Sequence, residues 1–298
     1  MSNEQAELKK RFDNNPCRGI VLGAGIEGSM RQFAWIMGRS PNSQNRVYEP
    51  NVEGADLRTA PADPSKVEDP RLIIYNVMRH SGSSLHVVSN GDQTDDVAEY
   101  GYHSVSVDSG GFDDFSYALR RRHCEPDAPT FTPRITGIQN RGASVVYLAL
   151  LRPDFDEQAH WIEVEKASGL TKDQFRKEGM KESEVTEAYN QAIGKLARLD
   201  HQRFPTIRSF FEFPFRTGIG YCLTTYKPGS LPEGKELLSF DGEPFAVPIV
   251  GTLDESVMNL WNHLDDCGDK HWRVAIAGIE IAPNGRYKMF VHNTRQKV

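Results

Sequence analysis

Cysteine is scarce in this sequence, and the few cysteines are not grouped. Cys17, Cys124, Cys222 and Cys267 are spread over 298 residues, and no two have Cys-x-x-Cys spacing. Neither a structural zinc site nor a disulfide framework is therefore expected. The histidines show no His-x-His or His-x-x-x-His spacing either, so we predict no metal site. The default location for such a chain is a reducing cytoplasm.

The sequence also lacks an excess of positive charge and any long apolar run. Its net charge is −6, which argues against polymeric nucleic acid as a partner, although a few local arginines suffice for one nucleotide. No run approaches 18 apolar residues, so no transmembrane helix is expected. The polar residues 1–15 contain no apolar segment of a secretory signal. With 38% hydrophobic and 26% charged residues, the composition predicts a globular protein without a membrane partner.

Strand-like and helix-like segments fall into separate blocks along the chain. Alternating and β-branched runs predict strands at 17–24, 32–37, 72–77, 85–89, 134–139, 143–151, 220–226, 245–250, 272–281 and 287–291. Helical patterns occur at 94–100, 112–122 and 255–264. Short turns between the strands indicate antiparallel hairpins, so the predicted class is α+β. We treat residues 1–298 as a single domain.

Two segments differ in composition from the rest. Residues 51–70 are rich in proline, aspartate and alanine, and we expect a surface excursion there. Residues 154–204 are charged and favour helix, with apolar residues at the spacing of an amphipathic helix. We interpret both segments as insertions into a more compact core.

The dinucleotide-like pattern Gly23-Ala24-Gly25-Ile26-Glu27-Gly28 has a simpler reading. A dinucleotide site needs a helix after the glycines, whereas residues 32–37 resemble a strand. The favoured interpretation is a hairpin turn. Cys17 begins the first strand and is interpreted as a small strand residue, because no base that would activate a nucleophile can be named.

Polar islands stand at the ends of several apolar runs and form the candidate site. In the first, Arg39 and Arg46 flank Ser40, Asn42 and Asn45. Guanidinium groups bind phosphate through two parallel hydrogen bonds, and serine and asparagine add neutral donors. The alternative is a solvated loop whose side chains bond to their own backbone. Residues alone leave the two interpretations open.

Three further islands have the same two interpretations. Asn90, Gln93 and Thr94 place amide and hydroxyl groups where they can read a carboxamide, or else they form a turn and a helix cap. Tyr75 with Asn76 offers a phenol for proton transfer, or a sheet aromatic. Glu125 and Arg134 flank a proline-containing loop that suits binding or acid–base chemistry, or they form an exposed ion pair.

Taken in order, these islands resemble the archaeal-type inosine monophosphate (IMP) cyclohydrolase family. The similarity is carried by Cys17-Arg18-Gly19, by residues 37–47 with their Arg-Ser-x-Asn-Ser-x-Asn-Arg pattern, by Ile74-Tyr75-Asn76, Asn90-Gly91-Asp92-Gln93-Thr94, residues 125–129 and 132–135, and by residues 218–226. It covers most of residues 16–150 and, more thinly, residues 204–292. The resemblance implies a four-layered αββα sandwich like that of N-terminal nucleophile hydrolases, without a self-processed nucleophile.

The resemblance also implies a reaction and a set of roles. The family closes 5-formamidoimidazole-4-carboxamide ribotide to IMP and water without a metal, and we expect no cofactor. Catalytic roles are predicted for Tyr75, Glu125 and Asn90. Substrate binding is predicted for Arg39, Ser40, Asn42, Asn45, Arg46, Asn76, Gln93, Thr94 and Arg134. The expected partner is a purine ribotide, and we expect a homo-oligomer.

Two other functions use the same contacts. A hydrolase or deaminase of another purine-like ribotide needs an activated water in place of the internal nucleophile. A ribotide-binding protein needs the pocket and no chemistry at all.

Overall fold

The computed structural model describes residues 3–12, 18–51, 56–67, 70–81, 84–103, 110–125, 131–140, 145–154, 181, 184–185, 206–227, 238–264 and 271–297. The strands in chain order are β1 (Gly19–Ala24), β2 (Met30–Met37), β3 (Arg46–Pro50), β4 (Leu57–Pro61), β5 (Asn76–Ser81), β6 (Leu85–Ser89), β7 (Arg134–Asn140), β8 (Val145–Pro153), β9 (Thr206–Pro214), β10 (Ile219–Thr224), β11 (Phe245–Pro248), β12 (Arg273–Ile281) and β13 (Tyr287–Asn293). The α-helices are α1 (Asn3–Phe12), α2 (Pro41–Gln44), α3 (Pro70–Ile73), α4 (Gln93–His103), α5 (Gly110–Leu119) and α6 (Leu253–His263).

The strands form two antiparallel sheets. One has six strands in the order β11-β10-β1-β2-β12-β13, and the other has seven in the order β3-β4-β5-β6-β7-β8-β9. The chain leaves the first sheet after β2, builds the second sheet in sequence order, and then returns to complete the first. The predicted α+β class with mainly antiparallel sheets is confirmed.

The two sheets pack face to face around the main core. In β1, Ile20 and Leu22 face this core while Val21 lies on the opposite face, as the two-residue period of a strand requires. Leu22 fills the space above Gly137 of β7, where a Cβ atom would lie 2.4 Å from it. A larger residue at Gly137 would therefore push the sheets apart at their centre.

Helices cover both outer faces of the sheets. Helices α1 and α6 pack on the six-stranded sheet through an apolar cluster that includes Phe12, Trp35 and Leu260. Helices α4 and α5 pack on the seven-stranded sheet through a second cluster that includes Val97 and Phe115. The result is two helical layers enclosing two stacked sheets.

Buried polar side chains join the sheets at their inner faces. Gln139 of β7 donates to the carbonyl of Gly23 on β1 at 2.8 Å, and Gln32 of β2 donates to the carbonyl of His86 on β6 at 3.1 Å. Burying an amide costs free energy unless it is hydrogen-bonded, so these contacts favour one relative placement of the two sheets.

Several local predictions are confirmed and two are wrong. The glycine-rich segment is the turn of the β1–β2 hairpin, as expected, and not a dinucleotide loop. The strand predicted at 72–77 is wrong, because Pro70 starts α3 and β5 begins only at Asn76. The prediction that residues 51–70 form a surface excursion is wrong for the part that forms β4, because β4 pairs with β3 and β5 and buries Leu57.

Other predictions lie mostly or wholly outside the described residues. They concern the helix expected within 154–204, Cys17, the rigid loop at 126–130 and the hairpin turn at 141–144. In the part of the chain that is described, no helix is long and apolar enough to cross a membrane.

Candidate active site

An ion pair connects the start of β1 to the loop after α5. Arg18 donates from Nη1 and Nη2 to Oε1 and Oε2 of Glu125, both at 2.7 Å. Nη1 of Arg18 also donates to the backbone carbonyl of Asn90 at 2.9 Å. Two parallel hydrogen bonds fix a guanidinium and a carboxylate in one plane. The pair therefore holds a group from the six-stranded sheet against the end of β6 in the seven-stranded sheet.

The phenol of Tyr75 lies beside this ion pair. Tyr75 is buried, and its phenol interacts electrostatically with the guanidinium of Arg18. Burial alone would lower the pKa of Arg18, but attraction to Glu125 and Tyr75 outweighs it, and the pKa lies well above its usual value. Arg18 is thus a permanent cation between a carboxylate and a phenol.

The backbone of Tyr75 is fixed by β4. The hydroxyl of Thr59 accepts from the amide of Tyr75 at 3.0 Å, and the amide of Thr59 donates to the carbonyl of Tyr75 at 2.9 Å. Thr59 is fully buried. The strand that sequence reasoning placed on the surface therefore positions the candidate catalytic phenol.

Arg46 adds a second guanidinium to the cluster. It starts β3, is only 7% exposed, and its Nε has no hydrogen-bond partner within the described ranges. No carboxylate of the described residues forms an ion pair with it. Burial lowers the pKa of Arg46, and the charge of Arg18 acts in the same direction against attraction from Tyr75 and Glu125. A buried, unpaired cation of this kind favours a bound anion.

Tyr48 follows Arg46 by two residues on β3 and belongs to the same cluster. Burial raises the pKa of Tyr48 well above its usual value, with a further contribution from Tyr75 and opposition from Arg18 and Arg46. Asn293 of β13 bonds both backbone groups of Tyr48, at 2.8 and 3.0 Å. These bonds tie the edge of the seven-stranded sheet to the six-stranded sheet beside the cluster.

The amide side chains of Asn90 and Gln93 are held by protein groups. Oδ1 of Asn90 accepts from the amide of Ile135 at 2.8 Å and from Nε2 of Gln93 at 3.1 Å, while Nδ2 donates to Pro133 at 2.9 Å. Asn90 is buried and uses its donor and its acceptor within the protein. Its backbone carbonyl accepts from Arg18, and the catalytic role of Asn90 stays a prediction.

Arg134 is held by the same segment. Its Nη1 donates to Oδ1 of Asp92 at 2.5 Å and to Oε1 of Gln93 at 2.6 Å, whereas its buried Nε lacks a partner in the described structure. Arg122 donates to the other oxygen of Asp92 at 2.9 Å. Burial works to raise the pKa of Asp92, but Arg134 and Arg122 outweigh it and the pKa is lowered.

Gly91 lies where these groups meet. A Cβ atom there would be 2.5 Å from Nη1 of Arg134, 2.6 Å from Oε1 of Gln93 and 3.5 Å from Oε1 of Glu125. Thr94, in the first turn of α4, donates from its hydroxyl to the carbonyl of Gly91 at 2.8 Å. Only a residue without a side chain allows Arg134 and Glu125 to approach this segment together.

In the loop from Arg39 to Arg46, some side chains offer polar atoms at the rim of the site, while others bond within the loop itself. The guanidinium of Arg39 lies 5.7 Å from the ring centre of Tyr226 and is exposed. Ser40 caps α2 by accepting from the amide of Ser43 at 3.1 Å. Oδ1 of Asn42 is buried without a partner within the described residues. Arg39 and Asn42 therefore offer polar atoms for a ligand, while the hydroxyl of Ser40 is used for capping.

Two predicted binding residues do not join the cluster. Asn45 bonds both backbone groups of Asp63 at 2.8 Å and so fastens its loop to the segment after β4. Asn76 donates to Asp95 of α4 at 2.8 Å, on the outer side of the sheet. Successive residues of a strand point to opposite faces, so Asn76 cannot follow Tyr75 inward. In the structure both side chains bond to protein groups, and their role in substrate binding stays a prediction.

Sequence reasoning missed several groups of this site. Arg18 lies in the segment Cys17-Arg18-Gly19, but no role was predicted for it, since nothing in the neighbouring sequence distinguishes it from a surface arginine. Tyr48 and Asp92 have no sequence feature that indicates a role, apart from their position close to predicted site residues. Gly91 was visible as part of Asn-Gly-Asp. The reason for a glycine at this position is the approach of Arg134, which is 43 residues away in the chain.

The assembled site has the character of an enclosed anion site with acid–base groups. It contains the two buried guanidiniums of Arg18 and Arg46, the phenols of Tyr48 and Tyr75, and the carboxylate of Glu125. Guanidiniums suit phosphate and developing oxyanions, and a phenol beside a carboxylate suits proton transfer. Among the described residues, no group of three histidine, cysteine or carboxylate side chains is placed to hold a metal ion.

Comparison with known proteins places the chain in a family. Residues 16–265 match the family described as IMP cyclohydrolase-like protein. Since this match covers most of the 298 residues, the chain belongs to that family. No curated protein matches the chain.

Proposed function

We propose that this protein is a cyclohydrolase of purine biosynthesis that closes 5-formamidoimidazole-4-carboxamide ribotide to IMP and water. The observation that carries the proposal is Arg46, a buried cation that no carboxylate of the described residues neutralises. A ribotide brings a phosphate whose charge and oxygen atoms match that cation. Membership of the IMP cyclohydrolase-like family supports the same substrate class.

The reaction requires three things of the site. The carboxamide nitrogen attacks the formyl carbon, so a C–N bond forms and that nitrogen loses a proton. The formyl oxygen takes up charge in the transition state and accepts one proton; it then accepts a second and leaves as water when the C–O bond breaks, while the formamido nitrogen loses its proton and forms a C=N double bond. Because both reacting groups are on one molecule, holding the formyl group in its attacking rotamer contributes much of the rate.

Charge stabilisation is assigned to the guanidiniums. Arg46 binds the 5′-phosphate, with Arg39 at the rim and the unpartnered Oδ1 of Asn42 available to hydroxyl groups of the ligand. Arg18 lies between Glu125 and Tyr75 and provides donors for the formyl oxygen. Arg134 is held by Asp92 and Gln93, so its role is to shape the pocket wall.

Proton transfer is assigned to Tyr75 and Glu125. The two groups meet at Arg18, which donates to both carboxylate oxygens of Glu125 and interacts electrostatically with Tyr75. One takes the proton from the carboxamide nitrogen and the other returns protons to the departing oxygen. Asn90, Gln93 and Thr94 act indirectly, because they hold the segment on which Gly91 and Asp92 face this pair.

The two helical layers around two antiparallel sheets support the expected likeness to N-terminal nucleophile hydrolases. Nothing in the proposed chemistry needs the self-processed nucleophile of those enzymes. We also retain the expectations of a homo-oligomer and of insertions at 51–70 and 154–204 as proposals.

One assay separates the proposed function from its alternatives. The purified protein is mixed with the formamido ribotide, and the ultraviolet absorbance is followed while the product is identified by chromatography. We expect conversion to IMP with the release of water. A different product would favour a hydrolase or deaminase, and saturable binding without turnover would favour a binding protein; either result overturns the proposal.

A further inference from the structure

A cavity of about 600 Å³ lies outside the cluster just described. It is bordered by the end of α2, the end of α6 and the β12–β13 pair, and its lining includes Gln44, Trp261, His271, Arg273, His292 and Arg295. Its volume falls in the range of small-molecule sites, about 300–1,000 Å³. None of its lining residues belongs to the Arg18–Glu125–Tyr75–Arg46 cluster.

The charged side chains among the described residues that line this cavity are all positive. Arg273 and Arg295 contribute two guanidiniums, and no carboxylate is among its described lining residues. The guanidinium of Arg273 lies 5.2 Å from the ring centre of Trp261, and its Nη1 donates to the carbonyl of Trp261 at 3.4 Å. Stacking of this kind limits the orientations of the group before any ligand arrives.

The second guanidinium is held from the opposite wall. Nη2 of Arg295 donates to Oε1 of Gln44 at 3.1 Å, and Nε2 of Gln44 donates to the carbonyls of Gly38 and His271 at 3.1 and 3.2 Å. Gln44 therefore orients Arg295 toward the cavity from the far side of α2. Because Arg295 donates this single hydrogen bond to Gln44, further N–H donors of its guanidinium are available to a ligand.

Irregular backbone shapes the floor of the cavity. The pairing of β12 with β2 shifts its register between Arg273 and Ala275. Thr294 follows the end of β13 and bonds the carbonyl of Val274 through both its amide and its hydroxyl, each at 2.9 Å. Register shifts of this kind re-aim side chains and occur next to binding sites. Here the shift lies at the position that supplies Arg273.

One wall offers aromatic surface. The rings of Trp261 and His292 meet edge to face at 4.8 Å between centroids. A ligand that places its anionic end between the guanidiniums finds apolar ring surface beside it. This combination of a few directed polar groups with aromatic surface is typical of small-molecule sites.

We propose that this cavity is a second ligand site, which binds the phosphate group of a small phosphorylated molecule between Arg273 and Arg295. It does not depend on the proposed cyclohydrolase activity. Because Gln44 closes α2, the site adjoins the loop that carries Arg39 and Arg46. Occupancy would compete for the donor that Arg295 gives to Gln44.

The test is a calorimetric titration of the full chain with inorganic pyrophosphate. Arg295→Gln removes one guanidinium from an exposed residue, and we expect its dissociation constant to rise about 10- to 100-fold, as the loss of a charge-assisted hydrogen bond predicts. Arg273→Gln should have an effect of the same direction. Arg286→Gln is the matched control, since Arg286 is also exposed and lies at the turn between β12 and β13.

A fourth variant separates this site from the candidate active site. Arg46→Met should leave cavity binding unchanged. If pyrophosphate binding is lost in Arg46→Met and kept in Arg295→Gln, the anion occupies the active site and the cavity proposal is overturned. Absence of pyrophosphate binding by the wild-type protein would overturn it as well, without bearing on ribotide turnover.

Discussion

Arg18 and Glu125 are 107 residues apart in the chain and form a buried, two-bond ion pair with both N···O distances at 2.7 Å. The pair spans the junction between the two sheets. Its guanidinium also contacts Tyr75 and the carbonyl of Asn90. Both groups proposed for proton transfer therefore interact with this one arginine, Glu125 through two hydrogen bonds and Tyr75 electrostatically.

Replacing Glu125 should remove proton transfer. For Glu125→Gln we expect turnover of the formamido ribotide to fall by about 10²- to 10⁴-fold, the usual contribution of a positioned acid or base. The measurement is steady-state kinetics by ultraviolet absorbance. The double variant Arg18→Met/Glu125→Leu controls for folding, because removing both charges leaves no buried charge unpaired. Its thermal unfolding should be close to wild type while it stays inactive; recovery of activity would contradict the assignment.

The two phenols of the site should behave differently. Tyr75→Phe is expected to lower turnover about 100-fold with little change in the Michaelis constant, since it removes a proton-transfer group. Tyr48→Phe is the matched control, because Tyr48 is buried in the same cluster. Kinetic measurements on both variants show whether the two phenols differ in their effect on turnover. Equal losses in turnover would mean that the phenols share a packing role.

Arg46 and Arg134 should differ in their effect on stability. Arg46→Met removes a buried charge without a carboxylate partner, so the free energy of unfolding should stay level or rise while the Michaelis constant for the ribotide increases. Arg134→Met removes the donor to Oδ1 of Asp92 and to Oε1 of Gln93 and should cost about 1–3 kcal/mol. Urea unfolding and kinetics measure the two effects. A large loss of stability in Arg46→Met would show that the arginine is held by the protein itself.

Gly91 should tolerate no side chain. The Cβ atom of Gly91→Ala would contact Arg134 and Gln93 at 2.5–2.6 Å, and we expect a loss of about 1–3 kcal/mol in unfolding free energy together with lower turnover. Gly242→Ala is the control, because its Cβ would meet only Phe240, at 3.4 Å or more. Chemical unfolding measures the free energy of unfolding of the two glycine variants, which are then compared. Wild-type stability in Gly91→Ala would show that the segment relaxes freely.

Asp92 should make stability depend on pH in the acid range. Its pKa is lowered in the folded protein by Arg134 and Arg122 against the effect of burial, so the unfolded chain binds the proton more tightly. The stabilisation is present above the unfolded pKa of about 3.9 and is lost as the pH falls through the lower, folded value. Asp92→Asn should therefore be less stable than wild type near neutral pH, with the difference shrinking below about pH 4. A constant difference across this range, measured by urea unfolding, would contradict the ion-pair role.

The fold could be predicted as far as local signals reach. The β1–β2 hairpin and the helices α4, α5 and α6 were visible, because alternation, helical spacing and turn residues act over short distances. β4 was hidden, since its proline-flanked five residues lack a long apolar run and gain their burial from β3 and β5. α3 was mistaken for strand because Leu72, Ile73 and Ile74 form a short apolar run with two β-branched residues, whereas Pro70 starts a helical turn.

The site could be predicted as a set of segments but not as a set of contacts. Tyr75, Glu125 and Arg46 were named from their motifs and do lie together. Asn45 and Asn76 share those motifs yet bond to Asp63 and Asp95 instead. An amide has the same sequence signature whether it faces a ligand or its own backbone, so only geometry distinguishes the two.

The amino-acid sequence by itself determined which segments carry the polar chemistry and that the chain alternates in a way that builds antiparallel sheets. The tertiary structure decided which of those groups meet. Arg18 belongs to the site because the start of β1 packs against the end of β6, where Arg18 bonds to Asn90, 72 residues away. Burial then strengthens the interactions of Arg18 with Glu125 and Tyr75. Long-range packing removes water from a few charges and leaves the others solvated, and a charge acts strongly only where water is absent.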